Sequence, residues 1–181
     1  MRAPKVRPTG VERTFRDDEV IVSKTDLQGR ITYVNDVFLG VSRYAEEDVI
    51  GQPHNLIRHP DMPRSAFKLL WDTIASGDEI FAYVLNLASD GAHYWVLAHV
   101  TPTFGLDGRI VGYHSNRRVP ARAALEKITP VYAQMLAAER AAGGTQAALE
   151  AGGKVLRDAL NSLSLSYEEF IWTLDATEAL V

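Results

Sequence analysis

Two histidines, two arginines and an aspartate crowd into one stretch of this chain, Gly51–Trp71, which reads GQPHNLIRHPDMPRSAFKLLW. Arg58 and Arg64 are planar, permanently charged donors suited to anionic oxygens. His54 and His59 can donate or accept near neutral pH. Pro53, Pro60 and Pro63 fix φ and break helices, so the stretch reads as a kinked connector and not as a solvent-washed loop. Elsewhere Asn35 and Asn86 carry amides that both donate and accept, and Trp71, Tyr94 and Trp95 supply aromatic bulk. Together these residue types suit a wall that holds a flat, polar, negatively charged ligand in a pocket.

Each residue also has a plainer role open to it. Asp61 fits the N-cap of a following helix, Trp71 and Trp95 fit a core, Arg58 and Arg64 fit a surface, and single histidines are commonly hydrogen-bonded structural residues. Other chemistries are poorly served. The histidines at 54, 59, 93, 99 and 114 include no i, i+4 helical pair, and His93 and His99, although on one strand face, lie too far apart to chelate together. No nucleophile–base arrangement is visible, and the chain has no cysteine. We therefore expect no enzyme and no metal site.

The composition is that of a globular protein: 181 residues, 46% hydrophobic and 23% charged, enough for one domain and an appendage. A net charge of −4 argues against nucleic acid as a partner. The lack of cysteine fits a reducing compartment. No run reaches the length of a membrane span, and the basic start has no apolar h-region, so a cytosolic protein is expected.

Several elements must position these residues. Residues 1–17 are rich in Arg, Lys, Pro and Gly and read as a flexible arm. A β-hairpin is expected over Val20–Thr25 and Arg30–Val34, followed by helices over Val37–Ser42, capped by Asn35 and Asp36, and Ala45–Ile50. The kinked connector leads to a helix from about Met62 to Ala75, with Ala66, Phe67, Leu70, Trp71 and Ile74 on one face and Asp61 as its N-cap. Strands over Phe81–Ala88, Ala92–Thr103 and Arg109–Arg117 complete a domain at residues 18–119. The fold class expected is α+β: a five-stranded antiparallel sheet with the helices inserted after the second strand and lying on one face. Residues 120–181 read as a helical extension, with a kink or break at Pro130 and weak points at Gly143-Gly144 and Gly152-Gly153. Leu156, Leu160, Leu163, Tyr167, Phe170 and Leu174 form a short a/d seam that packs either on its own domain or on a second chain.

The order of elements is that of PAS domains. The segments TDLQGRITYVND, GQPHNLIRHPDMPRSAFKLLWDTI, DGAHYWVLAHVTP and GRIVGYHSNR resemble the Aer-type PAS sensors of bacterial aerotaxis receptors, with GQPHN-x-x-RHPDMP followed by HYWV as the discriminating core. The resemblance implies a non-covalently bound FAD. It carries a flavin-binding importance onto Asn35, Arg58, His59, Asp61, Trp71 and Asn86, and His54 belongs to the same motif. The chain departs from the pattern in VLNLASDG, which lacks neighbouring cations, in Phe81 where a tryptophan is common, and in His114 where a methionine is common. These departures touch the adenine and phosphate contacts and leave FMN, or an empty pocket, as alternatives.

The function expected is a redox or oxygen sensor that signals by conformational change. Its signal would leave through the arm, the exposed sheet face or the C-terminal helices, into a homodimer or a separate partner such as a membrane chemoreceptor. A haem-based gas sensor, with His59 or His114 as axial ligand and Trp71 or Trp95 distal, is one alternative. A ligand-free interaction module is the other. Blue-light signalling through a cysteinyl adduct is excluded, since there is no thiol.

Overall fold

The computed structural model of the protein describes residues 6–175. Five antiparallel strands form one sheet: β1 (Ile21–Thr25), β2 (Ile31–Val34), β3 (Ile80–Leu87), β4 (His93–Phe104) and β5 (Ile110–Arg118). Their spatial order is β2-β1-β5-β4-β3, so the hairpin β1–β2 joins the meander β3–β4–β5 through a β1–β5 pairing. Three helices lie between β2 and β3: α1 (Asp36–Ser42), α2 (Glu46–Val49) and α3 (Arg64–Ala75). A short 3-10 turn, His54–Ile57, sits inside the connector. The five-stranded architecture with inserted helices is the one expected from sequence.

Strand alternation sorts the side chains into two cores. On the inner face Ala82, Val84, Val96, Ala98 and Val100 pack with Phe38, Val49, Leu70 and Ile74 of the inserted helices. On the outer face Tyr83, Leu85, Trp95 and Leu97 pack against helices α4 (Arg122–Ala141) and α6 (Tyr167–Asp175). The C-terminal extension thus covers the β3–β4 half of the outer face. That half is not the exposed output surface expected from sequence.

The structure bears on three expectations for the extension. Of the kink or break expected at Pro130, the break does not occur: helix α4 runs through it. Helix α5 (Thr145–Leu163) runs through Gly152-Gly153, and Gly152 is a point of close approach: a Cβ there would lie 2.4 Å from Ser65 Oγ and 2.8 Å from Glu139 Oε1. Glycine is needed where backbone must meet a neighbour this closely. The a/d seam is not one helix. Ser164 adopts a left-handed conformation, φ 54°, and ends α5, while Ser166 and Glu169 form a capping box that starts α6. Leu156, Phe170 and Leu174 are buried in the chain's own outer core and Leu163 is exposed. The seam is spent on intramolecular packing, which removes the basis for a two-chain coiled coil.

The N-terminal segment is docked where the sequence suggested a flexible arm. Thr9 N–H donates to Gly91 O at 2.9 Å, His93 N–H to Val11 O at 2.8 Å and Arg13 N–H to His93 O at 2.7 Å. Arg13 pairs with Asp90 and donates to Val41 O, and Phe15 packs on the inner core. Residues 1–5 lie outside the described residues. Among the described residues no helix is long and apolar enough to cross a membrane.

Candidate functional site

A cavity of about 390 Å³ lies between the inner sheet face and α3, inside the ~300–1,000 Å³ span of small-molecule sites. It exists because the sheet presents small side chains where the strands cross beneath α3. Ser23 of β1, Ala98 of β4 and Ser115 of β5 leave volume that larger residues would fill. Phe67, Leu70 and Trp71 of α3 form the apolar wall opposite. Trp71 meets Tyr113 edge-on, ring centroids 5.5 Å apart, and its other edge abuts Gly29. A Cβ at Gly29 would sit 2.9 Å from the Trp71 ring, and φ there is +74°, so only glycine suits the position.

The connector is tied to the sheet by backbone bonds, which fixes its side chains against the cavity. Gly51 N–H donates to Ile31 O at 2.7 Å, His54 N–H to Gly29 O at 2.9 Å and His59 N–H to Leu85 O at 3.3 Å. The N-terminus of α3 is held from a distance: Glu139 of α4 accepts from Arg64 N–H, Ser65 N–H and Ser65 Oγ–H. Asp61, expected as this cap, instead pairs on the surface with Arg140 of α4 at 2.8 Å.

The charged part of the cavity's lining is cationic. Arg58, Arg64 and Arg117 line it and, among the described residues, no carboxylate does. Arg117 Nη2 donates to Ser23 Oγ at 2.8 Å and to His54 Nε2 at 2.7 Å. A guanidinium has no acceptor, so Nε2 of His54 is unprotonated and the ring carries its proton on Nδ1. Burial, then the adjacent Arg117 charge, pull the His54 pKa down to about 3, and burial pulls Arg117 down to about 10. Burial and the nearby Arg64 also lower Arg58, whose guanidinium lies 5.9 Å from the Phe67 ring centroid. Several buried polar atoms facing this space have no protein partner: Thr25 Oγ1, Asn86 Nδ2, Ser115 Oγ and Arg117 Nη1. Buried polar groups are ordinarily satisfied, so this set points to a polar ligand.

The structure brings His54, Arg58, Trp71 and Asn86 to this cavity, and Arg64 with them. It places four other candidates elsewhere. Asn35 caps α1, accepting from Phe38 N–H and Val22 N–H and donating to Val20 O, so it locks α1 to β1. His59 is buried beside His93, and its Nδ1 accepts from Asp61 N–H at 3.0 Å. Asp61 is exposed on the connector's surface. Trp95 points to the opposite sheet face, where it stacks on Tyr132 of α4, centroids 6.4 Å apart. Tyr94 faces inward but is consumed by the core.

Sequence reasoning missed Arg117, Ser23 and Ser115. The signal was the period of two, which puts Tyr113, Ser115 and Arg117 on one face of β5 and Ile21, Ser23 and Thr25 on one face of β1. The neighbouring Arg118 and Pro120 made Arg117 look like a strand end.

A family model described as the PAS fold matches residues 18–115. The chain is 41% identical over 116 residues to the aerotaxis receptor of Escherichia coli (strain K12), covering 64% of this chain and 23% of the receptor. It is 27% identical over 99 residues to the nitrogen fixation regulatory protein of Klebsiella pneumoniae, covering 55% of this chain and 20% of that protein. The matches therefore span less than a quarter of these relatives' length. Among solved structures, the dark structure of the blue-light photoreceptor Aureochrome1 LOV superposes with TM-score 0.56 at 20% identity, over 61% of this chain and 82% of that one.

Proposed function

The chain belongs to the PAS family, and on that premise we propose that it is a redox sensor that holds a flavin, FAD foremost, non-covalently in the α3 cavity and signals to a protein partner. The observation that carries this reading is the cavity's make-up: an apolar aromatic wall, Phe67 and Trp71, facing three guanidinium groups and a set of unpartnered buried polar atoms, with no carboxylate among the described residues that line it. A flavin matches that inventory. It has a flat tricyclic ring, a hydrogen-bonding edge, and phosphate.

When bound, the flavin supplies electron exchange that alters charge and hydrogen bonding at its ring edge. The chain's own residues do the rest. Trp71 and Phe67 exclude water from the ring. Asn86 offers an amide that can satisfy either a donor or an acceptor. Arg58 and Arg64 suit phosphate oxygens and supply the cations missing from VLNLASDG. The haem alternative draws less support: His59 faces away from the cavity, and His114 Nε2 is engaged by Asn116 at 3.0 Å.

The output path in this reading is α3. Its N-terminus is bonded to Glu139, so a shift of the cavity's roof moves α4 and α5. The partner is another signalling protein, with a membrane chemoreceptor as the candidate that the 41% identity to an aerotaxis receptor favours. The proposed setting is the cytoplasm.

Extraction of the purified protein's chromophore, followed by an absorption spectrum before and after anaerobic reduction, tests the reading. A flavin spectrum that bleaches reversibly supports it, and the mass of the extract separates FAD from FMN. A Soret band, or a folded colourless protein that takes up neither flavin, overturns it.

A further inference from the structure

Arg117 stands on the inner face of the sheet's central strand, between Ile21 of β1 and Ala98 of β4. It is 4% exposed. Its two acceptors, Ser23 Oγ and His54 Nε2, are neutral and share Nη2, while Nη1 has none. No carboxylate lines the cavity among the described residues, and none is among the groups that act on the Arg117 charge.

A buried cation without a counter-charge is a large desolvation cost, and proteins keep one where something outside the chain completes it. Asn86 Nδ2, also buried and unpartnered, faces the same cavity. We propose that Arg117, oriented by Ser23 and a neutral His54, is the cavity's anion-binding contact, and that it receives the acceptor edge of the flavin ring.

The assignment to the ring edge rests on the flavin reading above; the anion contact itself does not. The edge bears carbonyl and ring-nitrogen acceptors, and its negative charge grows on reduction. Arg58 and Arg64, on the connector and α3, remain for the phosphate. His54 serves as an orienting acceptor. With Nε2 committed to Arg117 it cannot also donate from that atom to a ligand.

The test is Arg117→Met, which keeps the length and removes the charge. Ser23 and His54 remain partnered in the variant because they already lie 3.2 Å apart. In the ligand-free protein the variant is expected to unfold at the same temperature as wild type or higher, because an uncompensated charge is gone. In the loaded protein the order reverses: the variant binds riboflavin, FMN and FAD each about tenfold or more weakly and has a more negative flavin midpoint potential.

Lower stability of the ligand-free variant would show that Arg117 is a scaffold residue and would overturn the proposal. Weakened binding of FMN and FAD but not riboflavin, at an unchanged potential, would move the contact to phosphate and overturn the ring-edge assignment. If wild type takes up no flavin while the ligand-free variant gains stability, the flavin reading fails and the anion contact stands.

Discussion

Glu139 caps a helix that begins seventy-five residues before it: its Oε1 accepts from Ser65 N–H at 2.8 Å and from Ser65 Oγ–H at 2.6 Å. Oε2 accepts from Arg64 N–H at 3.0 Å. A carboxylate here satisfies orphan N–H groups and complements the positive end of the helix. Because Arg64 also lines the cavity, the same bond joins the candidate site to the C-terminal helices.

Replacing Glu139 with Ala should lower stability by about 1–3 kcal/mol, since it strands buried donors at the start of α3. Glu139→Gln should recover part of the loss. Urea denaturation of the two variants reads the difference, and equal stability of all three proteins would refute the cap's importance.

The two glycines of α5 should behave oppositely. Gly152→Ala puts a methyl 2.4 Å from Ser65 Oγ and 2.9 Å from Glu139 Cγ, forcing α5 from α3, and should destabilise by about 1–3 kcal/mol. Gly153→Ala meets only the flexible end of Arg157, at 3.2 Å, and should stabilise by about 0.5–1 kcal/mol through helix propensity. Thermal melts of the pair check this.

His54 should make the fold acid-sensitive. Its folded pKa is about 3 against 6.5 when unfolded. Below pH 6.5 the unfolded chain therefore binds a proton that the folded chain does not. Stability is full above pH 6.5 and falls by roughly 1.4 kcal/mol per pH unit as pH drops toward 3. His59 is also lowered, chiefly by burial, and adds in the same direction. The difference in urea midpoint between wild type and His54→Asn, followed from pH 7 to 5, should shrink with acid; a constant difference would contradict a neutral His54.

The two tryptophans should separate ligand binding from stability. Trp71→Ala opens the cavity wall and should abolish flavin retention. Trp95→Phe trims the contact with Tyr132 on the other face and should lower stability by about 1–3 kcal/mol with retention intact. Asn35→Ala belongs with Trp95: it removes a helix cap and a strand lock, and should cost about 1–2 kcal/mol without a direct effect on binding. Flavin occupancy after dialysis, measured beside thermal melts, distinguishes the two classes.

The sequence by itself determined the elements and their order. Alternating β-branched runs, Asp-Gly and Gly turns and the capped helices locate all five strands and the inserted helices, because those signals are local. It also marked His54, Arg58, Trp71 and Asn86, which meet at the cavity. Only the tertiary structure decided which face each strand residue serves. On β4, His93–Phe104, apolar residues fall on both faces, Val96 and Ala98 inward and Trp95 and Leu97 outward, because helices cover both, so the face Trp95 serves is undecided until the C-terminal helices are placed. Long-range pairing likewise decided that Glu139, not Asp61, caps α3, that residues 9–15 dock on the sheet, and that the a/d seam closes on its own chain. The stretch from Gly51 to Trp71 shows the division. Its prolines and backbone bonds make it a rigid wall, but its charge only acquires meaning beside Arg117, a residue brought to it by the sheet's central strand.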